Sequence, residues 1–447
     1  MVLTGWGRTS PTQAVTREVS GEAAVVEAVA SAPRRGVLAR GLGRSYGDSA
    51  QDAGGVVLDM TPMSDIVRAG STLRAQAGAS LDAILRRIVP EGYFVPVTPG
   101  TRFVTVGGAI AADIHGKNHH VEGSFGTHVR GLRLVTGSGD VLECGPDLRP
   151  EAFWATVGGM GLTGVITEAE VGLLPIETSR MRVDTERFAD LDSLMSAMQE
   201  GDHRYRYSVA WVDSLSLAGR GVLTRGDHAT FADLPSRVTE PLAYDPQSRL
   251  GAPPWVPAGL LNRVSVRGFN EAWFRKAPRR REGEIQSIPA FFHPLDGVRH
   301  WNRVYGRGGF LQYQFVVPDH AGALIGGALA RLREAGAPSF LTVLKRFGPG
   351  NDGPLSFPSA GWTLAADVPA AVPGLGGVLD ELDAAVIGAG GRHYLAKDSR
   401  MSASTFAAGY PRLEEWQRVR DSLDPHGVFT SDQARRLGLA PWLGSPS

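Results

Sequence analysis

The stretch Val104-Thr105-Val106-Gly107-Gly108-Ala109-Ile110-Ala111-Ala112-Asp113-Ile114-His115-Gly116-Lys117-Asn118-His119-His120 decides how this chain is read. It is dense in glycine and polar where a core segment would be apolar. It also places three of the eleven histidines close together. A second glycine-rich loop, Arg40-Gly41-Leu42-Gly43-Arg44-Ser45-Tyr46-Gly47-Asp48, precedes it by about sixty residues. Two such loops suit one large ligand gripped at two places.

The chemistry of the loops suits a flavin dinucleotide, with a tight turn at residues 40–48 and helix–sheet packing at Gly107-Gly108 as the plainer alternatives. A pyrophosphate needs a run of backbone N–H groups with no side chains in the way. Residues 40–48 supply the run, with Ser45 as a hydroxyl donor. A wide planar ring needs close backbone on one side and polar groups at its rim. Gly107 and Gly108, with His115-Gly116-Lys117-Asn118, offer both.

Three shorter patterns point elsewhere and fail on context. Gly43-Arg44-Ser45-Tyr46-Gly47 fits the hydrolase nucleophile elbow, but no long helix follows the serine. Gly159-Met160-Gly161-Leu162-Thr163-Gly164 fits the dinucleotide fingerprint, but with helix before and strand after, the reverse of the required order. His115 and His119 are spaced to share a helix face, as metal ligands would. Gly116 and Asn118 break that helix, so no metal is expected.

Composition bounds the rest. At 447 residues two domains are expected. Lys plus Arg equals Asp plus Glu, at 46 each, so the basic surplus of a nucleic-acid binder is missing. The single Cys144 excludes an internal disulfide. The first residues hold no apolar run of signal-peptide length, and no apolar stretch of roughly 18 residues occurs. The chain is therefore expected to be cytoplasmic or membrane-associated, with the periplasmic face open to it.

Periodicity predicts helices at 18–30, 81–88 (capped by Ser80), 106–112, 151–157, 320–335, 374–388 and 411–423. It predicts strands at 36–40, 55–59, 72–77, 164–174, 180–184, 205–213, 309–317, 340–347 and 362–368, and a hairpin over 129–144. The order is α+β and lacks the regular alternation of a doubly wound sheet. Residues 225–285, rich in Pro, Arg and aromatics, are expected to be long mobile loops. Gln312 and Gln314 alternate with Tyr313 and so share one strand face.

Taken with Pro99-Gly100-Thr101-Arg102, the two loops resemble the vanillyl-alcohol-oxidase type of FAD-binding family. Further motifs narrow the resemblance to the decaprenylphosphoryl-β-D-ribose 2-oxidase family. They are Leu3-Thr4-Gly5-Trp6-Gly7, Phe153-Trp154-Ala155-Thr156-Val157-Gly158, His293-Pro294-Leu295-Asp296, Leu355-Ser356-Phe357-Pro358 and Ala396-Lys397-Asp398-Ser399-Arg400. The resemblance implies a two-domain fold: an FAD-binding part at 1–178 and 392–447, and a mixed or antiparallel-sheet substrate domain at 179–391. It implies oxidation of the ribose 2-hydroxyl of decaprenylphosphoryl-β-D-ribose by hydride transfer to flavin N5. A separate NADH-dependent 2-keto-pentose reductase would then return the arabino epimer for cell-wall arabinan. The rival on the same fold is an FAD oxidase of a soluble sugar or aldonolactone.

The same resemblance implies the site. FAD would be held by Arg40, Gly41, Leu42, Gly43, Arg44, Ser45, Tyr46, Gly47, Gly100, Thr101, Thr105, Gly107, Gly108, Ala112, His115, Gly116, Asn118, His119, Gly161, Ile166 and Tyr394. Substrate would meet Trp211, Asn302, Gln312, Gln314, Lys345, Phe347, Thr363, Ala365 and Lys397. Lys397, His115, Tyr46 and Lys117 would carry the chemistry, with Lys397 offsetting negative charge on the flavin. FAD is expected without a covalent bond. The family usually has a Cys, the attachment point of nitroaromatic inhibitors, where this chain has Ala365, and a Tyr where it has Phe292. Trp255, Trp273 and Phe274 among Arg275, Lys276, Arg279, Arg280 and Arg281 suggest peripheral contact with a membrane.

Overall fold

A computed structural model describes residues 1–439, apart from 249 and 258. Three parallel strands, Val15–Glu18, Val56–Asp59 and Val37–Arg40, open the chain. An antiparallel five-stranded sheet follows, in the order Val141–Cys144, Val129–Val135, Val165–Gly172, Thr72–Gln76, Ile66–Ala69. The helices Leu81–Ile88 and Val106–Ala111 pack their apolar residues into the same core as this sheet.

The second large sheet has eight strands. Their order is Arg280–Ser287, Arg180–Phe188, Gly221–His228, Tyr207–Val212, Thr342–Phe347, Gly361–Pro369, Phe310–Val317, Arg392–His393. Neighbours run antiparallel throughout. One face is apolar by strict alternation: Tyr313, Phe315, Val317, Leu344, Leu364, Ala366 and Val368 share a core with the helices Leu191–Gly201, Ala323–Glu334 and Leu375–Gly388. Each such Leu, Val or Phe contributes about 1.5–3 kcal/mol when fully buried. The opposite face is therefore free to be polar.

The chain end returns to the beginning. Phe429 bridges Val37, and Trp416 in the helix Leu413–Leu423 donates to the Ala155 carbonyl at 2.9 Å.

Two expectations need correction. The helix expected at 18–30 starts at Glu22, because Val15–Glu18 is taken up as a parallel strand against Val56–Asp59. Residues 225–285 are only partly loop. They include the end of the strand Gly221–His228, a 14-residue helix Arg263–Lys276 and most of the strand Arg280–Ser287. The helix buries only Val266 and Asn270, so it has almost no apolar stripe to read. It is held by an Asn262 capping box and by Asn270, which donates to Asp213 at 2.7 Å. The strand reads as surface because it is a sheet edge, where charge guards against unwanted pairing.

Candidate active site

The strand Val37–Arg40 ends against Asp59 and hands the chain straight to the first glycine loop. Thr105 caps the helix Val106–Ala111, its hydroxyl accepting from the Gly108 N–H at 3.3 Å. Gly41 lies so close to Thr105 that an added Cβ would stand 2.2 Å from its hydroxyl. The two loops therefore touch at Gly41. Gly43 takes φ +62° and folds over the Arg40 guanidinium. The N-terminal arm zips along this loop: Trp6 N–H donates to Ser45 at 2.7 Å, and Gly7 N–H to Tyr46 at 3.0 Å.

Asp113 turns the second loop. It sits at φ +38° at the helix end, fully buried. Its carboxylate accepts from Ser124 and Ser356 hydroxyls, the Gly126 N–H and the Asn351 amide. The next residues reach the cleft. Tyr394 donates to the Ala112 carbonyl at 2.8 Å. His115 approaches the Gln314 amide nitrogen at 3.0 Å, between the rings of Phe347, Phe357 and Tyr394. Gly116 packs on the Thr98 carbonyl. His120 turns away to the Asp202 and Tyr205 carbonyls, and His119 packs on Phe347. The three histidines do not converge.

Register assembles the other wall. Gln314 pairs with Ala365, Ala365 with Val343, and Val343 with Trp211. Thr363 pairs with Lys345, and Gln312 with Asp367. Residues opposite one another in an antiparallel pair share a face. So Trp211, Gln312, Gln314, Lys345, Phe347, Thr363 and Ala365 share one face of the sheet. Asp367 joins them.

The electrostatics of this cleft are unusual. Burial lowers the Lys117 ammonium to about 7. Burial, with the charges of Lys397 and Lys117, lowers Lys345 to about 7. Lys397 is also shifted down by burial, with Asp367 opposing. Its ammonium lies 3.8 Å from the Tyr46 ring centre. Burial and the charges of Lys345, His119 and Lys397 hold His115 neutral. Three crowded cations make a site for anions.

The comparisons with known proteins agree with this geometry. Residues 14–145 match the family described as FAD binding domain, and residues 379–437 match D-arabinono-1,4-lactone oxidase. A decaprenylphosphoryl-beta-D-ribose oxidase of Mycolicibacterium smegmatis is 47% identical over 451 residues, covering 98% of this chain and 97% of the relative. The chain belongs to the decaprenylphosphoryl-β-D-ribose oxidase family. An uncharacterised Streptomyces coelicolor protein is 41% identical over 374 residues, 80% of this chain and all of the relative. Cytokinin dehydrogenase 2 of Arabidopsis thaliana is 32% identical over 139 residues, 31% of this chain and 28% of the relative.

As in this oxidase family, the cofactor is FAD, and the cradle fits it. Gly100 and Gly161 face open space. Arg44 Nε, Ser49 Oγ, His115 Nδ1, Asn118 Oδ1 and His119 Nδ1 are buried without partners along the two loops. Such orphans call for a ligand.

Some expected residues are already committed. Thr101 donates to Asp296 at 2.7 Å, leaving its backbone for any cofactor contact. Ile166 packs in the sheet core opposite Leu134. Asn302 donates to the Trp6 carbonyl at 2.9 Å and braces the N-terminal arm. The Trp211 indole N–H is held by the Phe340 carbonyl at 2.9 Å. Phe292 is buried against Phe94 and Tyr207, not at an open rim. Sequence reading missed Asp367, although its even spacing from Thr363 and Ala365 placed it on the same face. It also missed Asp113, whose four partners are scattered along the chain.

Proposed function

We propose that this protein oxidises the ribose 2-hydroxyl of a polyprenyl-phosphate ribose, with decaprenylphosphoryl-β-D-ribose as its substrate. The relative from Mycolicibacterium smegmatis bears the name of that activity. The observation that carries the reading is the polar, lysine-bearing sheet face against the two glycine loops. A sugar needs hydroxyl partners, and Gln312, Gln314 and Thr363 offer them. A phosphate needs cations, and Lys117, Lys345 and Lys397 supply them.

FAD, when bound, supplies a two-electron acceptor that takes a hydride from C2. The protein's share is orientation and charge. Gln314 fixes the His115 ring through their 3.0 Å contact. Gln312 donates to the Tyr46 hydroxyl at 3.3 Å and holds the phenol beside Lys397. The Lys397 ammonium offsets the negative charge that builds up during hydride transfer. The same reading has FAD held without a covalent bond to His115. Acid precipitation should leave all flavin in the supernatant.

The lipid tail has a surface to meet. Leu261 packs on the cluster of Tyr46, Trp301 and Tyr305. In the same stretch of chain Trp255 is 76% exposed, Leu260 50% and Val264 82%. The next helix carries exposed Arg263, Arg267, Arg275 and Lys276. Exposed apolar groups beside cations suit an anionic bilayer. No helix among the described residues is long and apolar enough to cross a membrane. The partner enzyme is a reductase that uses NADH on the 2-keto sugar. Within the chain, the expected FAD part is residues 1–178 and 392–447, of which 440–447 lie outside the described residues, and the expected substrate part is residues 179–391.

The test is product identity. Incubation with decaprenylphosphoryl ribose should yield a lipid lighter by two hydrogens, which borohydride reduces to a ribo/arabino mixture. Oxidation of free ribose or an aldonolactone instead would favour the soluble-sugar rival, which the match of residues 379–437 keeps in view.

A further inference from the structure

We propose that Asp367 is the base that accepts the substrate hydroxyl proton, its Oδ2 taking the proton as the hydride leaves C2 for FAD. This rests on the reading of the site given above.

Asp367 has no exposed surface. It lies in the strand Gly361–Pro369, opposite Gln312 and two residues beyond Ala365. Its Oδ1 accepts from the Gln312 amide, while Oδ2 is buried with no partner. A buried carboxylate oxygen without a donor is costly unless a ligand completes it. A sugar hydroxyl would do so, and hydrogen bonding would aim its proton at Oδ2.

The alternatives around the cleft are occupied. Asp113 has four donors, and Asp296 is taken by Thr101 and Arg102. The Nε2 of His115 faces the Gln314 amide, a donor, so Nδ1 carries the hydrogen and its free nitrogen donates. Lys117 donates to the Phe291 carbonyl, Lys345 reaches the Gly116 carbonyl at 3.5 Å, and the Lys397 ammonium sits on the Tyr46 ring.

The ionisable groups acting on Asp367 are Lys397 from the 396–400 segment, Tyr46 from the first loop and Tyr305 from the turn before strand Phe310–Val317. Both phenols are buried and held neutral. Burial raises the carboxyl to about 7, against Gln312 and Lys397. That value suits a base working near neutral pH. The step balances: C2–H leaves as hydride with two electrons, the O–H electrons become the C=O bond, and the proton rests on Asp367.

The test is anaerobic flavin reduction by decaprenylphosphoryl ribose, followed between about pH 5.5 and about 9. Wild-type FAD enzyme should show a rate that falls on the acid side, as the Asp367 carboxyl raised by burial takes up its proton. Asp367→Asn should keep FAD, lose that limb and reduce at least roughly 100-fold more slowly. Lys397→Met should be slow yet keep the limb. A wild-type profile without an acid limb overturns the inference, whether or not the variant folds. So does an Asp367→Asn enzyme with wild-type rate, or loss of the limb in Lys397→Met alone. Wild-type flavin that stays oxidised at every pH overturns the substrate reading, and this inference with it.

Discussion

Lys117, Lys345 and Lys397 are cations held where water cannot fully solvate them. Below about pH 7 Lys345 is charged in both the folded and unfolded chain, and its burial penalty is complete. As pH rises from about 7 towards the unfolded value of about 10.4, the folded state sheds its proton first, so this group's contribution to apoprotein stability improves. Lys345→Met removes the penalty. Its gain in Tm over wild type should be largest near about pH 6 and shrink by about pH 9. A gain that does not change with pH would refute a buried ammonium. Ala365 makes a second prediction. With no thiol there, a nitroaromatic inhibitor of the family should leave the intact mass unchanged, and Ala365→Cys should gain an adduct. The residues of this face were legible because alternation and motif agreed. Asp367 was not, since no motif covered it and only strand register puts it beside Gln312.

At the level of elements, the site depends on loops that lock one another. Tyr46 N–H donates to the Ala396 carbonyl at 2.9 Å. Arg436 joins Asp48 of the first loop to Asp398, next to Lys397, at 2.7 and 2.8 Å. A Cβ on Gly47 would lie 2.0 Å from the Asp398 carbonyl, which is backbone and cannot step aside. Gly47→Ala should therefore move the first loop off Lys397. FAD affinity should fall at least about tenfold, roughly 1.4 kcal/mol, with the far-UV spectrum kept. Wild-type affinity, measured by fluorescence titration of apoprotein, would refute the coupling. The glycine loops and the short helix within the second one could be read from sequence, since glycines and a run of small apolar residues are local signals. The helix Arg263–Lys276 could not, because Val266 and Asn270 alone are buried in it, which leaves no periodic stripe, and its partner, Asp213, is distant in the chain.

Over the whole molecule, one sheet buries an apolar face so that the other can meet the cofactor loops, and the exposed apolar residues Trp255, Leu260 and Val264 lead into a basic helix, with Leu261 packed on the Tyr46 cluster. If that stretch rests on lipid, the protein should co-sediment with vesicles containing anionic phospholipid and not with neutral ones. Trp255→Ser together with Val264→Ser should reduce binding at least about fivefold, from the apolar area removed, with turnover of a short-chain substrate retained. Binding that ignores both lipid charge and these substitutions would remove the membrane role. The central claim is that this cleft brings a lipid-linked ribose and FAD together for hydride transfer. The direct measurement is anaerobic mixing of the FAD-loaded protein with decaprenylphosphoryl ribose, following the flavin absorbance. Full bleaching by one equivalent is expected, slowed at least roughly 100-fold in Lys397→Ala. Flavin that stays oxidised with the lipid-linked ribose but bleaches with a soluble aldonolactone would contradict the account.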